Sequence, residues 1–250
     1  MISSLTSRDK LFRRLLSSLE SQLCSEVEIL YCCDDGRMPS GMKRQALLNV
    51  SLGKYVCFVD DDDLVSDDYV ASLVAACHRG PDVVTFDLSY EKPTGNTRWR
   101  FDLDVPFNGE RVIVDGYARM SANHLCAWRR DLALAVPFSP IGYMDDVFWY
   151  RPLHASGLVR TREHVSRSLY RYLYSPTVTV NQRQDSVRRT KEWGAAGVSA
   201  YRHLPTGLLG VAAYSDPYFA KRTDVLLRTP VGMRHCPKAE LQLLTTVYAK

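Results

Sequence analysis

The run Lys54-Tyr55-Val56-Cys57-Phe58-Val59-Asp60-Asp61-Asp62-Asp63 passes from an apolar, β-branched and aromatic segment straight into four consecutive carboxylates. Such a segment reads as a strand buried on both faces, as parallel strands covered by helices are. In open α/β sheets, ligands gather just beyond the carboxyl ends of such strands. Four adjacent carboxylates repel one another unless a cation answers them. Mg²⁺ and Mn²⁺ take oxygen ligands, commonly one or two carboxylates together with substrate phosphates. The spacing Asp60-x-Asp62 suits that task. A second reading stays open here: Ser66, Asp67 and Asp68 precede a helical pattern, and an acidic run there can be a solvated turn that caps it.

Working outward, the segments on either side alternate in kind. Met1 to Arg8 reads as a short strand running into a polar loop, and Asp9 can cap the helix marked by Leu11, Phe12, Leu15, Leu16, Leu19 and Leu23. Val27 to Cys33 is a second apolar strand, and it too ends in carboxylates, Asp34-Asp35-Gly36. A carboxylate at such a strand end can accept hydrogen bonds from a ribose hydroxyl or a base N–H. Met42 to Ser51, with Lys43, Arg44 and Asn49, reads as a helix before the central strand. Tyr69, Val70, Leu73, Val74 and Cys77 mark the next helix, and Val83 to Phe86 a further strand. The alternation of strands and helices predicts a parallel sheet with right-handed crossovers.

These motifs resemble the nucleotide-sugar-binding half of family 2 glycosyltransferases, which have the GT-A fold. The resemblance is carried by the strand ending in Asp34-Asp35-Gly36, the Lys/Arg-Gln-x-x-x-Asn helix, and Gly53-Lys54-Tyr55 leading to the Asp run. It implies nucleotide-sugar contacts at Thr6, Arg8, Asp34, Asp35, Lys43, Asp60 and Asp61, with Asp60 and Asp62 holding a divalent metal, Mn²⁺ or Mg²⁺, on the donor diphosphate. The loop at Thr6 and Arg8 departs from the family's usual Pro-Thr-x-Asn-Arg type.

Beyond residue 90 the pattern loosens. Glu91 to Pro106, with a turn at Thr94-Gly95-Asn96, reads as a hairpin or a flap over the donor site. Asp145-Asp146-Val147-Phe148-Trp149 then leads a helix that ends near Gly157. It resembles the family's acceptor side, where a Glu-Asp pair opens a helix after an Arg-Arg-x-Leu segment. That likeness implies that Asp146 is the general base, with Asp145 and Trp149 beside the acceptor. A base needs a pKa high enough to take a proton, and Tyr143, Phe148 and Trp149 are the residues at hand for an apolar pocket that would supply it. The alternative is that both carboxylates merely cap the helix. Ser168 to Tyr174 alternates like a Tyr-rich edge strand; His164 is a candidate third metal ligand, although a lone histidine is more often structural.

Composition bounds the rest. With 250 residues, 46% of them hydrophobic, the chain can bury a sizeable core. No apolar run approaches the roughly 20 residues that span a bilayer, and no signal-peptide pattern follows Met1, so a soluble, cytoplasmic protein is expected. The seven cysteines lack paired zinc-site spacing and read as reduced core residues. Residues 1–150 carry net −6 and residues 151–250 net +10. The basic half, with Arg188 and Arg189 on a helix expected over Gln182 to Tyr201, suggests a polyanionic acceptor: DNA, or a phosphorylated glycan or lipid carrier.

The expectation is therefore an α/β, GT-A-like protein with a mostly parallel, Rossmann-like sheet flanked by helices. Residues 1–175 form the transferase domain, divided into a nucleotide-sugar half at 1–90 and an acceptor half at 91–175, and residues 176–250 a helical, basic C-terminal extension. The expected activity is metal-dependent, inverting transfer from a UDP-sugar to an acceptor hydroxyl. Alternatives are a DNA glycosyltransferase acting on hydroxymethylated bases, a nucleic-acid-binding module with an inactive core, and a nucleotidyltransferase. The last would need a glycine-containing phosphate loop after the first strand, which Leu5 to Asp9 lacks, and the full set of Asp motifs argues against an inactive core.

Overall fold

The computed structural model describes residues 1–105, 112–176, 178, 224–229 and 232–234. The helix expected over Gln182–Tyr201, and Arg188 and Arg189 with it, lies outside the described residues.

The first half builds the donor-side layer. Strand β1 (Ile2–Leu5) leads into helix α1 (Asp9–Glu20), which buries Phe12, Leu15, Leu16 and Leu19 as the 3.6-residue spacing predicts. Asp9 is the first helical residue and not its cap; its carboxylate accepts from Arg13 Nε at 2.7 Å, one turn on. Strand β2 (Leu30–Asp34) pairs parallel with β1, Leu5 lying opposite Asp34. Helix α2 (Ser40–Val50) follows, and every residue from Gly41 to Leu48 is buried. That burial explains its lack of an amphipathic pattern: α2 packs on β1 and β2 at one side and on later helices at the other.

The central run is only briefly a ladder strand, β3 (Tyr55–Val56), paired antiparallel with β9 (Ala127–Arg129). Cys57 to Val59 then runs between two other segments: Phe58 N–H donates to the His124 carbonyl and Val59 N–H to that of Met1, both at 3.0 Å. The run thereby ties β1 to the turn before β9, and delivers Asp60 at the seam. Short β4 (Leu64–Val65) and helix α3 (Tyr69–Cys77) complete this half.

Strand β5 (Val83–Lys92) is the spine of the larger sheet. Its start pairs with β9 and its end with β6 (Gly95–Asp102), while β10 (Arg162–Leu173) lies parallel along its other side. Strands β7 (Val112–Val114) and β8 (Tyr117–Ser121) extend it, and α4 (Arg130–Ala135) and α5 (Asp145–Ala155) pack beyond β9. The architecture is thus α/β with sheets flanked by helices, as expected, but the pairing is mixed. Parallel ladders are β1–β2, β5–β10 and β6–β8; the others are antiparallel. The tight turn at Pro93–Thr94 forces β6 back along β5, a hairpin that no crossover helix could produce. Nor is β10 an edge strand, because β4 pairs on its far side. In the C-terminal part, β11 (Asp224–Thr229) pairs antiparallel with β2 and with β12 (Gly232–Arg234).

Candidate active site

Three segments meet at one rim: the loop after β2, the Asp60–Asp63 tip, and the N-terminus of α5. Asp34 is buried and fully engaged, accepting from Gly36 N at 3.1 Å and Met38 N at 2.6 Å, and pairing with the Lys43 ammonium. Lys43, itself buried, also donates to the Ser4 carbonyl at 2.6 Å. These two residues shape the loop. The adjacent Asp35 keeps its side chain 33% exposed, with Arg37 Nε at 3.0 Å.

The four carboxylates at the tip have four different surroundings. Asp61 points inward, accepting from Ser4 Oγ and from Arg8 Nη1, each at 2.7 Å. Arg8 comes from the turn after β1, lies 3.5 Å from Asp62 Oδ2, and donates to the Val178 carbonyl as well. Thr6, in the same turn, is exposed. Asp63 also points inward, accepting from Tyr170 Oη at 2.7 Å and Leu173 N at 2.8 Å. Burial and repulsion from Asp60 and Asp62 outweigh those donors and push its pKa up to about 8. Asp62 is raised to about 6 by burial and by the Asp60 charge, Arg8 offsetting only part of it.

Asp60 is held differently. Its Oδ1 accepts from Arg44 Nη2 at 2.8 Å and its Oδ2 lies 3.4 Å from His124 Nε2. Burial opposes its ionisation, yet His124 and Arg44 prevail and hold it well below the usual carboxylate range. Arg44 Nη1 reaches on to Asp145 Oδ2 at 2.6 Å, and His124 Nδ1 lies 3.2 Å from Asp146 Oδ2. The latter is an ion-pair distance without hydrogen-bond alignment. Burial and Arg44 disfavour the imidazolium, but Asp60 and Asp146 overcome them and raise His124 to about 9. The result is a charge cluster of Asp145, Arg44, Asp60, His124 and Asp146 spanning the seam between the halves, in which Arg44 Nη2 also lies 3.2 Å from His124 Nε2.

On the acceptor side the surroundings differ from those expected. Asp145 is buried, also accepting from Ser40 Oγ at 3.0 Å, so it faces α2. Trp149, 1% exposed, stacks on Phe138 with centroids 4.7 Å apart and belongs to the core. Phe148 points to solvent. Asp146 therefore sits beside a cation and not in an apolar pocket; burial raises its pKa but His124 more than reverses this and lowers it. His164 lies apart from this rim, between Thr85 Oγ1 at 2.9 Å and Asp87 Oδ1 at 3.2 Å.

Arg44, His124 and Tyr170 are site residues that sequence reasoning passed over. Arg44 lay within a quoted motif; no spacing rule marks His124, which reaches Asp60 only through tertiary packing.

Among the described residues no three His, Cys, Asp or Glu side chains are grouped to hold a metal alone. Asp60 and Asp62 remain, and Asp62 Oδ2 lies 3.5 Å from Arg8 Nη1, an ion-pair distance without a hydrogen bond, with its side chain 14% exposed. Two such carboxylates fit Mg²⁺ or Mn²⁺ that takes its other ligands from phosphates and water.

Of the basic residues after α5, Arg162 pairs with Asp102 and Asp104, Arg167 with Asp68, and Arg171 with Glu91. Much of the described basic charge is therefore locally neutralised. No helix among the described residues is long and apolar enough to cross a membrane.

Residues 41–135 match the model of Glycosyl transferase family 2, a segment that contains α2 from Gly41 on, the Asp run and His124. The fold is similar to that of S. aureus TarS 1-349, with a TM-score of 0.53 and 16% identity over 69% of this chain and 59% of that one. Its complex with UDP-GlcNAc gives 0.54 and 15%, over 76% and 64%. Its complex with UDP gives 0.50 and 17%, over 70% and 61%. The chain thus spans less than two thirds of each of these, and at such identities the likeness is one of fold. None of the curated proteins matches the chain.

Proposed function

We propose that the chain is a family 2 glycosyltransferase that moves a sugar from a UDP-sugar to an acceptor hydroxyl, with inversion and with a divalent cation. The observation that carries the reading is the convergence of Asp60 and Asp146 through Arg44 and His124, with the loop of Asp34 tied to Asp61 through Lys43 and Ser4, within and beside the segment that matches the family. That the similar TarS structures include complexes with UDP and UDP-GlcNAc supports UDP as the nucleotide.

In this reading Asp34 and Lys43 hold the loop, and Asp35 accepts from the uridine. Asp60 and Asp62 would hold the cation, which supplies Lewis-acid stabilisation of charge on the diphosphate. Asp146 orients the acceptor hydroxyl and takes its proton as the oxygen attacks the anomeric carbon; the bond from that carbon to the diphosphate oxygen breaks, and UDP leaves with the electron pair. A base of lowered pKa is a weak one in the resting site, so its protonation must be concerted with bond formation. The acceptor we favour is a saccharide-type hydroxyl, because Arg162, Arg167 and Arg171 are already paired with acids.

Thermal denaturation with UDP tests the donor class. At about 100 times its Kd a ligand stabilises the fold by roughly 2.7 kcal/mol. A rise in Tm with UDP and Mn²⁺ together is expected; no rise with UDP under any metal condition would reject the donor.

A further inference from the structure

We infer that Arg44 is a positioning residue that fixes the donor-side carboxylate Asp60 against the acceptor-side end of α5. Asp60 and Asp145 are far apart in sequence, and no strand ladder joins the segments that carry them. The Arg44 guanidinium joins them directly, one Nη to each carboxylate at 2.8 and 2.6 Å. It is 8% exposed on a helix buried on nearly all sides. A well-packed apolar side chain is often as stable in such a place as a buried ion pair, so the guanidinium is better explained by the geometry it imposes than by stability. Its planar fork presents two donors at a fixed spacing, which the point charge of lysine cannot do.

The rest of α2 supports this. Gly41 N donates to the Ile141 carbonyl at 3.1 Å, Ser40 Oγ to Asp145 at 3.0 Å, and Phe138 N to Gln45 Oε1 at 2.8 Å, all on the acceptor side. On the other side Lys43 grips Asp34 and Ser4. The helix is a strut between the two halves of the site, with Arg44 as its contact to both carboxylates. Asp145 is accordingly an anchor for α5, and Asp146 alone is left to face the acceptor. The inference rests on the transferase reading only for what Asp60 and Asp146 do.

The test pairs Arg44→Gln with the double variant Arg44→Gln/Asp145→Asn, which also removes the buried charge that the single variant strands. Three quantities are read: Tm, kcat for UDP release from a panel of UDP-sugars with Mn²⁺, and the pulsed-EPR distance between spin labels at Leu52→Cys and Phe148→Cys in a background with Cys24, Cys33, Cys57, Cys77 and Cys236 replaced by Ser, whose own Tm and kcat are the reference. The double variant is expected to regain most of the Tm lost by the single one, yet to stay about 100-fold below wild type in kcat, as an ångström of misplacement can cost. Its label distance should broaden, and Arg44→Lys should be intermediate in both. Recovery of kcat together with Tm, or an unbroadened distance, would overturn the inference. If wild type releases no UDP while the distance still broadens in the double variant, the transferase reading fails and the strut stands.

Discussion

At the residue scale, the site separates roles among carboxylates that look alike in sequence. Asp146→Asn keeps the size of the side chain without its basicity, and general-base catalysis is worth roughly 10²–10⁴-fold. Transfer should fall by that factor while UDP affinity, followed by calorimetry, stays near wild type. Asp62→Asn should instead weaken UDP and Mn²⁺ binding together; equal loss of affinity in both variants would contradict this division. The titration of Asp63 and His124 predicts a pH dependence of stability in EDTA. Asp63, raised to about 8, holds a proton in the folded state that the unfolded chain gives up near its ordinary carboxylate value. Its contribution is therefore full below about pH 4 and is lost as pH rises to about 8. His124, raised to about 9, contributes fully below about pH 6.5 and less as pH climbs through 9. Tm should thus fall between pH 6.5 and 9, and Asp63→Asn should flatten the slope between pH 5 and 8. A variant with the wild-type slope would show that Asp63 is ionised in the folded protein.

At the scale of elements, α2 carries the account. A Cβ added at Gly41 would lie 2.0 Å from the Ser139 carbonyl oxygen and 2.9 Å from Asp145 Cβ. Both belong to packed segments that cannot swing aside as a flexible side chain would. Gly41→Ala should therefore cost about 1–3 kcal/mol, the usual range for overpacking, measured as a lower urea midpoint at unchanged slope. An unchanged midpoint would mean that α2 is not held against the loop before α5. Periodicity made α1 and α3 legible, and the switch from apolar residues to Asp located the end of the central run. It could not foretell that only Tyr55–Val56 would join a ladder, because the partners of Phe58 and Val59, the carbonyls of His124 and Met1, are remote in sequence. The position of β10 was hidden for the same reason: its tyrosines alternate as an edge strand's would, and only the pairing with β4 buries Tyr170 against Asp63.

At the scale of the whole molecule, the two halves meet in an electrostatic seam, and the two carboxylates assigned to the ion, Asp60 and Asp62, keep partly exposed side chains while Asp34, Asp61, Asp63 and Asp145 are buried on protein partners. Removal of a divalent ion should leave the fold intact: EDTA is expected to abolish UDP binding with no change in the far-ultraviolet circular dichroism, and global unfolding on chelation would refute a purely catalytic metal. The donor motifs were legible because they fall at strand ends in sequence order. The acceptor side was less so, since nothing in the sequence near Asp145 and Trp149 reveals that packing turns both inward. The central claim is tested most directly by UDP release from a panel of UDP-sugars, with and without Mn²⁺, in wild type and Asp62→Asn. The account predicts release by wild type that requires Mn²⁺ and is lost in Asp62→Asn. Release that is equal in the two proteins, or absent from wild type with every UDP-sugar, would contradict it.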